Sequence, residues 1–365
     1  MPAKKQNLKI AMIGSGFIAK AHSNAFHQVG HFFDIPYSLD LRVVCARDQA
    51  KLQTFANQWG WAETSTDWES VVRRKDIDVV DIAVPNRLHA PIAIAAADAG
   101  KIVFCEKPLA MNVSEAQQIA RASKQPNLVW FNYRRVPAVA FAKQLIDEGR
   151  IGEVFHYRSY YFNQSGVDPA KSHTWRYRIE EAGSGAIGDL LSHSLDMALY
   201  LNGSISELSA TKHTFAPGRE IDDAVSLLAN FSNGSLGTFD ASRFGVGRRN
   251  GLGFQIFGSK GNLAFDLEEM NSLRFFDATD PGPLQADRNI LVTGPAHPYA
   301  SNFWKPGHVI GYEHTFIATL GDFLQRLADG KEFHPNFKDA LKTQELLAAV
   351  ESSAGSRQWT KITQL

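Results

Sequence analysis

Short apolar segments alternate with amphipathic stretches through the first third of the chain. The segments are rich in β-branched or aromatic residues, and we predict them to be strands at 8–13, 41–46, 78–84, 101–105 and 128–132. Amphipathic stretches between them, such as 49–59 and 91–99, predict helices. Because alternating strands and helices build a parallel sheet covered on both faces, this pattern predicts a doubly wound α/β domain.

The pattern changes after about residue 150. Strands are predicted at 154–162, 224–231, 235–242, 253–257 and 273–276, and Asn233-Gly234 has the composition of a tight hairpin turn. Helices are predicted at 185–201, 315–327 and 337–353. We therefore expect a doubly wound α/β domain over 1–134 and an α+β domain with a mainly antiparallel sheet over 135–365.

Composition excludes several classes of protein. The 38 basic residues balance the 38 acidic ones, so no net charge draws the chain to nucleic acid or to an anionic membrane. No apolar run approaches the ~20 residues that span a bilayer. Cys45 and Cys105 both lie in apolar runs, which is typical of buried thiols in a reducing compartment and predicts a cytoplasmic protein without a metal site.

Two glycines stand where the first predicted strand meets the first helix. Gly14, Gly16 and Ala19 match the pattern G-x-G-x-x-G/A, in which the first glycine permits a tight turn and the second lets the backbone approach a pyrophosphate. A glycine-rich turn can also join a strand to a helix without binding anything. At the first turn of an alternating domain, the motif favours a dinucleotide site.

The end of the second strand indicates which nicotinamide cofactor is used. An acid there would bind the ribose 2′-hydroxyl of NAD, but Ala46 occupies the position and Arg47 follows it. A small residue followed by a guanidinium suits a 2′-phosphate, so the sequence favours NADP over NAD. The alternative is that Arg47 lies over the adenine and Asp48 reaches the ribose of NAD.

Two further stretches carry groups that can move protons. Glu106, Lys107 and Pro108 follow the fourth strand, at the edge where parallel sheets bind ligands, although such a tripeptide can also be an ordinary loop. Asp189 and His193 are four residues apart on a predicted helix, where a carboxylate can orient an imidazole as a general acid or base. The same pair can also do no more than stabilise the helix.

Taken together, the glycine turn, Glu106-Lys107-Pro108 and the stretch GSGAIGDLLSH at 183–193 resemble the Gfo/Idh/MocA family of oxidoreductases. The resemblance covers essentially the whole chain and includes Pro85-Asn86 and NYRRVPA at 132–138. Two positions depart from the family pattern, Ser184 and Leu191, where glycine is common. The resemblance implies a Rossmann domain, then an open, mainly antiparallel sheet whose outer face usually mediates oligomers.

The resemblance also implies an enzyme that reversibly transfers hydride between a nicotinamide and a secondary hydroxyl of a sugar, anhydrosugar, glycoside or cyclitol. Its catalytic groups fall on Lys107, Asp189 and His193. The expected cofactor contacts are Gly14, Gly16, Phe17, Ile18, Ala46, Arg47, Pro85, Asn86, His89, Glu106 and Lys107. The expected substrate residues are Lys107, Tyr133, Asn163, Trp175, Arg176, Asp189 and His193, with Arg134, Tyr161 and His173 as further candidates.

His193 is assigned as the base that takes the alcohol proton, with Asp189 orienting it and Lys107 stabilising the developing alkoxide. The sequence leaves open that Lys107 and His193 exchange these roles. It also leaves open a sensor that binds nucleotide without turnover, and a glycosidase that oxidises its substrate transiently with tightly held NAD.

The remaining expectations concern partners. We expect a small carbohydrate or cyclitol substrate, and neither a nucleic acid nor a membrane partner. The outer face of the second sheet is predicted to carry apolar residues such as Phe239, Phe254 and Ile256 and to form a homodimer or homotetramer.

Overall fold

The computed structural model describes residues 5–168 and 174–362, which form two compact units. The first unit comprises residues 5–132 with 311–342, and the second comprises 133–310 with 343–362. The first crossing between the units lies between residues 132 and 133, and the domain bounds of 1–134 and 135–365 stay a prediction. Residues 311–342, which that prediction places in the second domain, pack with the first unit.

The first unit contains a six-stranded sheet in which every strand pairs in parallel. Its strands in chain order are β1 (Gln6–Ile13), β2 (Tyr37–Cys45), β3 (Glu63–Ser65), β4 (Val79–Ile82), β5 (Ile102–Cys105) and β6 (Asn127–Val129). The spatial order is β3-β2-β1-β4-β5-β6. The order reverses between β1 and β4, so their carboxyl ends flank the crevice at which such sheets bind ligands.

Helices connect these strands, as the alternation predicts. They are α1 (Phe17–Phe32), α2 (Gln49–Trp59), α3 (Trp68–Val72), α4 (His89–Asp98) and α5 (Val113–Ala122). The core between sheet and helices consists of small and β-branched side chains, because both faces of a parallel sheet are covered.

A later helix completes the first unit and explains why residues 311–342 belong to it. In chain order it is the ninth, α9 (Tyr312–Ala328), and it packs along α1. Gly321 on α9 faces the ring of Phe33, and a Cβ atom at that position would overlap the ring. The absence of a side chain at Gly321 therefore permits the close approach of the two elements.

The second unit is built on a nine-stranded sheet. Its strands in chain order are β7 (Val154–Phe162), β8 (Ile205–His213), β9 (Ala224–Phe231), β10 (Leu236–Ser242), β11 (Gly251–Gly258), β12 (Gly261–Asp266), β13 (Ser272–Asp277), β14 (Arg288–Leu291) and β15 (Thr360–Lys361). The spatial order is β14-β13-β12-β11-β7-β10-β9-β8-β15. Among the described strands only the β7–β10 pair is parallel, so the expected mainly antiparallel sheet is confirmed.

The remaining helices are α6 (Pro137–Asp147), α7 (Ile179–Ala182) and α8 (Ser192–Asn202) in the second unit, and α10 (Phe337–Ser356), which runs from the first unit into the second. A π-helical segment, Ile187–Leu191, leads directly into α8. The predicted hairpin is confirmed: β9 pairs antiparallel with β10, and Gly234 has a positive φ of 88°. No helix among the described residues is long and apolar enough to cross a membrane.

One expectation about the second sheet is wrong. Phe239, Phe254 and Ile256 are buried within the chain rather than on the outer face. They lie on the same face as the other buried residues of β10 and β11, because successive side chains alternate between the faces of a strand. The opposite face carries exposed Leu228, Leu236 and Phe257.

Candidate functional site

The glycine turn between β1 and α1 has the geometry that a dinucleotide site requires. Gly14 has a φ of 124°, and a Cβ atom there would overlap the backbone of Ala83 just beyond β4. Only glycine accommodates both constraints. Gly16 is the N-cap of α1 and has open space where a Cβ atom would stand, while Ala19 is fully buried.

The amino terminus of α1 suits an anion. No acidic residue lies in its first turn, and no side chain caps it. Phe17 is 67% exposed and Ile18 is partly exposed beside Gly16. The first N–H groups of a helix carry partial positive charge and lack partners within the helix, so this turn fits the pyrophosphate of a dinucleotide.

Strand β2 ends at Cys45, and Ala46 and Arg47 are the next two residues. The Arg47 side chain is exposed. Asp48 is the N-cap of α2, accepts a hydrogen bond from the backbone N–H of Lys51 at 3.2 Å, and pairs with the Lys51 ammonium. The Asp48 carboxylate is thus engaged at the helix terminus, which weakens the alternative in which it binds the ribose of NAD.

The turn after β4 contains Pro85, which is partly exposed, and Asn86, which is 6% exposed. His89 lies one turn further and is fully buried, with Nδ1 2.9 Å from the carbonyl oxygen of Pro108 and Nε2 3.0 Å from that of Val84. The His89 ring thus lies between two turns with its nitrogens facing backbone carbonyls. A contact between His89 and the cofactor stays a prediction.

Glu106 and Lys107 follow β5 at the carboxyl edge of the sheet. Glu106 is 8% exposed; its Oε2 accepts a hydrogen bond from the backbone N–H of Lys107 at 3.2 Å, and its Oε1 lies 3.1 Å from Nε2 of His22. Lys107 is partly exposed. The carboxylate of Glu106 is committed to protein partners, so the residue in this stretch that can meet a ligand is Lys107.

His22 is a residue that sequence reasoning missed. It lies on α1, is fully buried, and places Nδ1 2.8 Å from Oδ2 of Asp81 on β4. Burial by itself disfavours the charged ring, but hydrogen bonds and charges from Asp81 and Glu106 outweigh it and raise the pKa of His22 to about 9. Two carboxylates that only accept hydrogen bonds require a doubly protonated imidazole between them.

In the second unit, the turn before the π-helical segment is held by Asp222. Its carboxylate accepts hydrogen bonds from the backbone N–H groups of Gly185 at 2.5 Å and Ile187 at 2.8 Å. A Cβ atom at Gly185 would overlap the backbone of Asp222, which explains the second glycine of this motif. These hydrogen bonds hold the turn from which the π-helical segment begins. Such segments occur frequently at functional sites.

Asp189 lies within this π-helical segment, and His193 lies in the first turn of α8. Oδ2 of Asp189 accepts a hydrogen bond from Nη2 of Arg243 at 3.1 Å, and Arg243 is almost fully buried. Arg243 also donates to the carbonyl oxygen of Arg176 at 3.0 Å. No sequence pattern indicated this guanidinium, because 54 residues separate it from Asp189.

His193 is 7% exposed and lies among aromatic rings. Its ring centroid is 4.8 Å from that of Tyr133 and 5.8 Å from that of Tyr161. The Tyr161 hydroxyl donates to Oδ1 of Asn250 at 2.5 Å, and Nδ2 of Asn250 donates to the Tyr133 hydroxyl at 3.2 Å. The structure thus brings two predicted substrate residues and Asn250, which sequence reasoning missed, together beside the candidate base.

The other residues predicted to bind substrate have contacts of their own. Asn163 uses Oδ1 to accept from the backbone N–H and hydroxyl of Ser165, at 3.0 and 2.7 Å. The Arg176 guanidinium lies 4.6 Å from the centroid of the Trp175 ring, and both residues remain partly or fully exposed. His173 lies outside the described residues.

Arg134, a further candidate for sugar binding, is engaged within the protein. It forms a buried two-point ion pair with Asp196, at 2.8 Å from Nε and 2.6 Å from Nη2. Such a pair engages the planar guanidinium within the protein. Among the residues that the structure describes, no cluster of three His, Cys, Asp or Glu side chains could hold a metal ion.

Family comparisons identify the architecture. Residues 8–133 match the family described as "Oxidoreductase family, NAD-binding Rossmann fold", and residues 139–264 match the "GFO/IDH/MocA C-terminal domain". Levoglucosan dehydrogenase of Pseudarthrobacter phenanthrenivorans is 38% identical over 99% of both chains. The chain belongs to the Gfo/Idh/MocA family of oxidoreductases. The resemblance inferred from its motifs is confirmed, and the chain is an NAD-dependent oxidoreductase.

Solved structures of this family agree with the fold. An oxidoreductase domain protein from Kribbella flavida is 44% identical and superposes with a TM-score of 0.95, over 98% of this chain and 100% of that one. A levoglucosan dehydrogenase solved with NADH and levoglucosan is 38% identical, with a TM-score of 0.96 over 99% and 100% of the two chains.

The family comparison supports NAD as a cofactor of the first unit. The glycine turn and the uncapped terminus of α1 fit that molecule. The preference for NADP that Ala46 and Arg47 indicate stays a prediction.

Proposed function

We propose that the protein is a dehydrogenase that oxidises a secondary hydroxyl of an anhydrosugar of the levoglucosan type. The observation that carries this proposal is the full-length likeness to levoglucosan dehydrogenase, including a structure that holds NADH and levoglucosan. The surroundings of His193 support it. Tyr133, Tyr161 and Asn250 offer hydroxyl and amide groups for sugar hydroxyls, and aromatic faces for the ring C–H groups.

In this proposal Lys107, Asp189 and His193 are the catalytic residues. His193 takes the alcohol proton, because an imidazole nitrogen is the side-chain group that most often accepts a proton in catalysis. Asp189, held by Arg243, favours the imidazolium that results. The Lys107 ammonium stabilises charge on the substrate oxygen, and an exchange of roles between Lys107 and His193 stays open.

The cofactor would be held by the turn at Gly14 and Gly16, with Phe17, Ile18, Ala46, Arg47, Pro85 and Asn86 lining its path. When bound, the nicotinamide supplies or accepts the hydride. We propose that NADP is accepted as well as NAD. Arg47 is exposed, Ala46 presents no carboxylate to repel a phosphate, and Asp48 is occupied at the terminus of α2.

The test of this function is a substrate panel. Levoglucosan, glucose, xylose, methyl glucosides and myo-inositol are each supplied with NAD and with NADP, and the reduced cofactor is followed by absorbance. We expect the highest kcat/KM with levoglucosan. Release of aglycone without net reduced cofactor would instead identify a glycosidase. Binding of nucleotide without turnover of any compound would identify a sensor.

We also propose a cytoplasmic homodimer or homotetramer. The exposed apolar side chains Leu228, Leu236 and Phe257 on the outer face of the second sheet support an interface there. The two free and buried cysteines, Cys45 and Cys105, support a reducing compartment. Light scattering at micromolar concentration tests the assembly, and a monomer of wild-type protein would contradict it. A Leu228→Lys, Leu236→Lys variant should dissociate it.

A further inference from the structure

Two buried histidines contact the turn that carries Lys107, one on each side of it. His22 on α1 contacts Glu106, the residue before Lys107, and His89 at the start of α4 contacts Pro108, the residue after it. Both rings are fully buried. Since neither ring has exposed surface, we ask which protein groups each of them positions.

His22 connects Glu106 to the centre of the sheet. Its Nε2 faces Oε1 of Glu106 at 3.1 Å, and its Nδ1 faces Oδ2 of Asp81 at 2.8 Å. The other oxygen of Glu106, Oε2, accepts the backbone N–H of Lys107 at 3.2 Å. An unbroken series of hydrogen bonds therefore runs from β4 through α1 to the main chain of Lys107.

The ring of His22 is itself fixed. Nε1 of Trp130 donates to Oδ1 of Asp81 at 2.9 Å, and the Trp130 indole stacks on the His22 ring with centroids 4.1 Å apart and planes 25° apart. Phe316 on α9 packs against the same ring at 5.3 Å. The imidazole that faces Glu106 is therefore held in place by its neighbours.

His89 holds the other side of the turn. Its ring lies between the carbonyl oxygens of Pro108 and Val84, at 2.9 and 3.0 Å. Burial lowers its pKa, so the neutral ring donates one hydrogen bond at a time, and both available acceptors lie on turns at the carboxyl edge of the sheet. The ring therefore packs between the turn after β4 and the turn after β5 and donates its one N–H to one of them.

We propose that His22 and His89 are positioning residues that fix the main chain of Lys107 for the chemical step. The proposal rests on the catalytic role proposed for Lys107. A buried cluster of two carboxylates and an imidazolium is an inefficient way to stabilise a core, because desolvation of the charges offsets their attraction. Such a cluster instead fixes the positions of the groups that it joins. Position matters because a displacement of about 1 Å at a reacting group can cost about 10²-fold in rate.

The test uses the full-length variants His22→Gln and His89→Gln, with His27→Gln as the matched control. His27 lies on the same helix as His22 but is exposed. For His22→Gln we expect kcat to fall about 10- to 100-fold, while the Kd for NADH, measured by fluorescence, changes less than about 3-fold. His89→Gln should give a smaller loss of the same kind. His27→Gln should match the wild type in both measurements.

A cycle with Lys107→Ala separates positioning from general stability. If His22 acts through Lys107, His22→Gln should cost little more in the Lys107→Ala background, because effects of residues that act as a unit do not add. An equal loss in both backgrounds would overturn the proposal. An unchanged kcat in His22→Gln and His89→Gln would overturn it as well.

Crystal structures make the result independent of the proposed function. In folded His22→Gln, Lys107 Cα should shift by more than about 0.5 Å relative to β5, and an unmoved Lys107 would contradict the inference. If Lys107→Ala keeps full activity, the catalytic assignment fails, and the displacement still decides the positioning. If His22→Gln does not fold, His89→Gln, which removes one neutral hydrogen-bond donor, decides the same question.

Discussion

Nη2 of Arg243 donates a hydrogen bond to Oδ2 of Asp189 at 3.1 Å, from a side chain that is almost completely buried. The same guanidinium donates to the carbonyl oxygen of Arg176 and lies 4.8 Å from the centroid of the Tyr177 ring. A guanidinium fixed in this way sets the position of the Asp189 carboxylate. Asp189 therefore has a partner that orients it.

Replacement of Arg243 should impair turnover through Asp189. We expect Arg243→Met to lower kcat about 10- to 100-fold and to lower the free energy of unfolding by about 1–3 kcal/mol, because its hydrogen bonds are lost. Asp189→Asn should also lower kcat and shift its pH profile. The double variant should be little worse than the worse single variant. Arg249→Met, an exposed arginine nearby in sequence, is the control, and additive losses would contradict the coupling.

His193→Ala and Lys107→Ala test the assignment of the base. We expect His193→Ala to lower kcat about 10²- to 10⁴-fold with little change in nucleotide affinity, which is the usual contribution of a positioned acid–base group. Lys107→Ala should impair turnover without unfolding the protein. If His193→Ala keeps nearly full activity while Lys107→Ala loses it, the base is Lys107, and His193 orients substrate or stabilises the helix.

Asn250→Ala tests whether the tyrosine pair recognises substrate. Loss of the amide removes the hydrogen bonds to Tyr133 and Tyr161, so both hydroxyls lose their fixed orientation. We expect KM for the sugar to rise about 10-fold, with a smaller effect on kcat, because each lost hydrogen bond is worth about 1 kcal/mol. Asn289→Ala, on the exposed strand β14, should have no effect. A KM equal to that of the wild type would exclude Asn250 from substrate recognition.

Arg47→Ala tests the choice of cofactor. We expect the KM for NADP to rise about 10-fold while the KM for NAD changes less than about 2-fold, because a charge-assisted contact to the 2′-phosphate is absent from NAD. Arg73→Ala, at an exposed site after α3, should change neither value. Equal effects on the two cofactors, or strict selectivity of the wild type for NAD, would refute the interpretation of Ala46 and Arg47.

The buried His22 should make stability depend on pH. The pKa of His22 is about 9 in the folded protein, compared with an ordinary histidine value of 6.5, so the folded state binds the proton more tightly than the unfolded state. The resulting stabilisation is fully present below about pH 6.5, falls as pH rises through 9, and amounts to roughly 3 kcal/mol. Urea unfolding between pH 6 and about 10 measures it. We expect His27→Gln to retain this slope and His22→Gln to lose it; equal slopes would contradict the assignment.

Local pattern determined much of this protein. The predicted helix at 49–59 and the strands at 154–162 and 224–231 coincide with α2, β7 and β9, because hydrophobic periodicity is set by neighbours a few residues apart. The sequence also predicts the glycine turn between β1 and α1. A positive φ and close contact with the backbone of Ala83 permit only glycine at Gly14, so the residue type itself reports the geometry.

Tertiary structure alone decided which charged and polar groups meet. His22 reaches Asp81 and Glu106, 59 and 84 residues away, and Arg243 reaches Asp189 across 54 residues. Strand alternation placed Phe239 on the buried face, and packing of α9 on α1 returned residues 311–342 to the first unit. Periodicity specifies that a position is buried or exposed. It does not specify the distant partner, because that depends on the order of strands in each sheet.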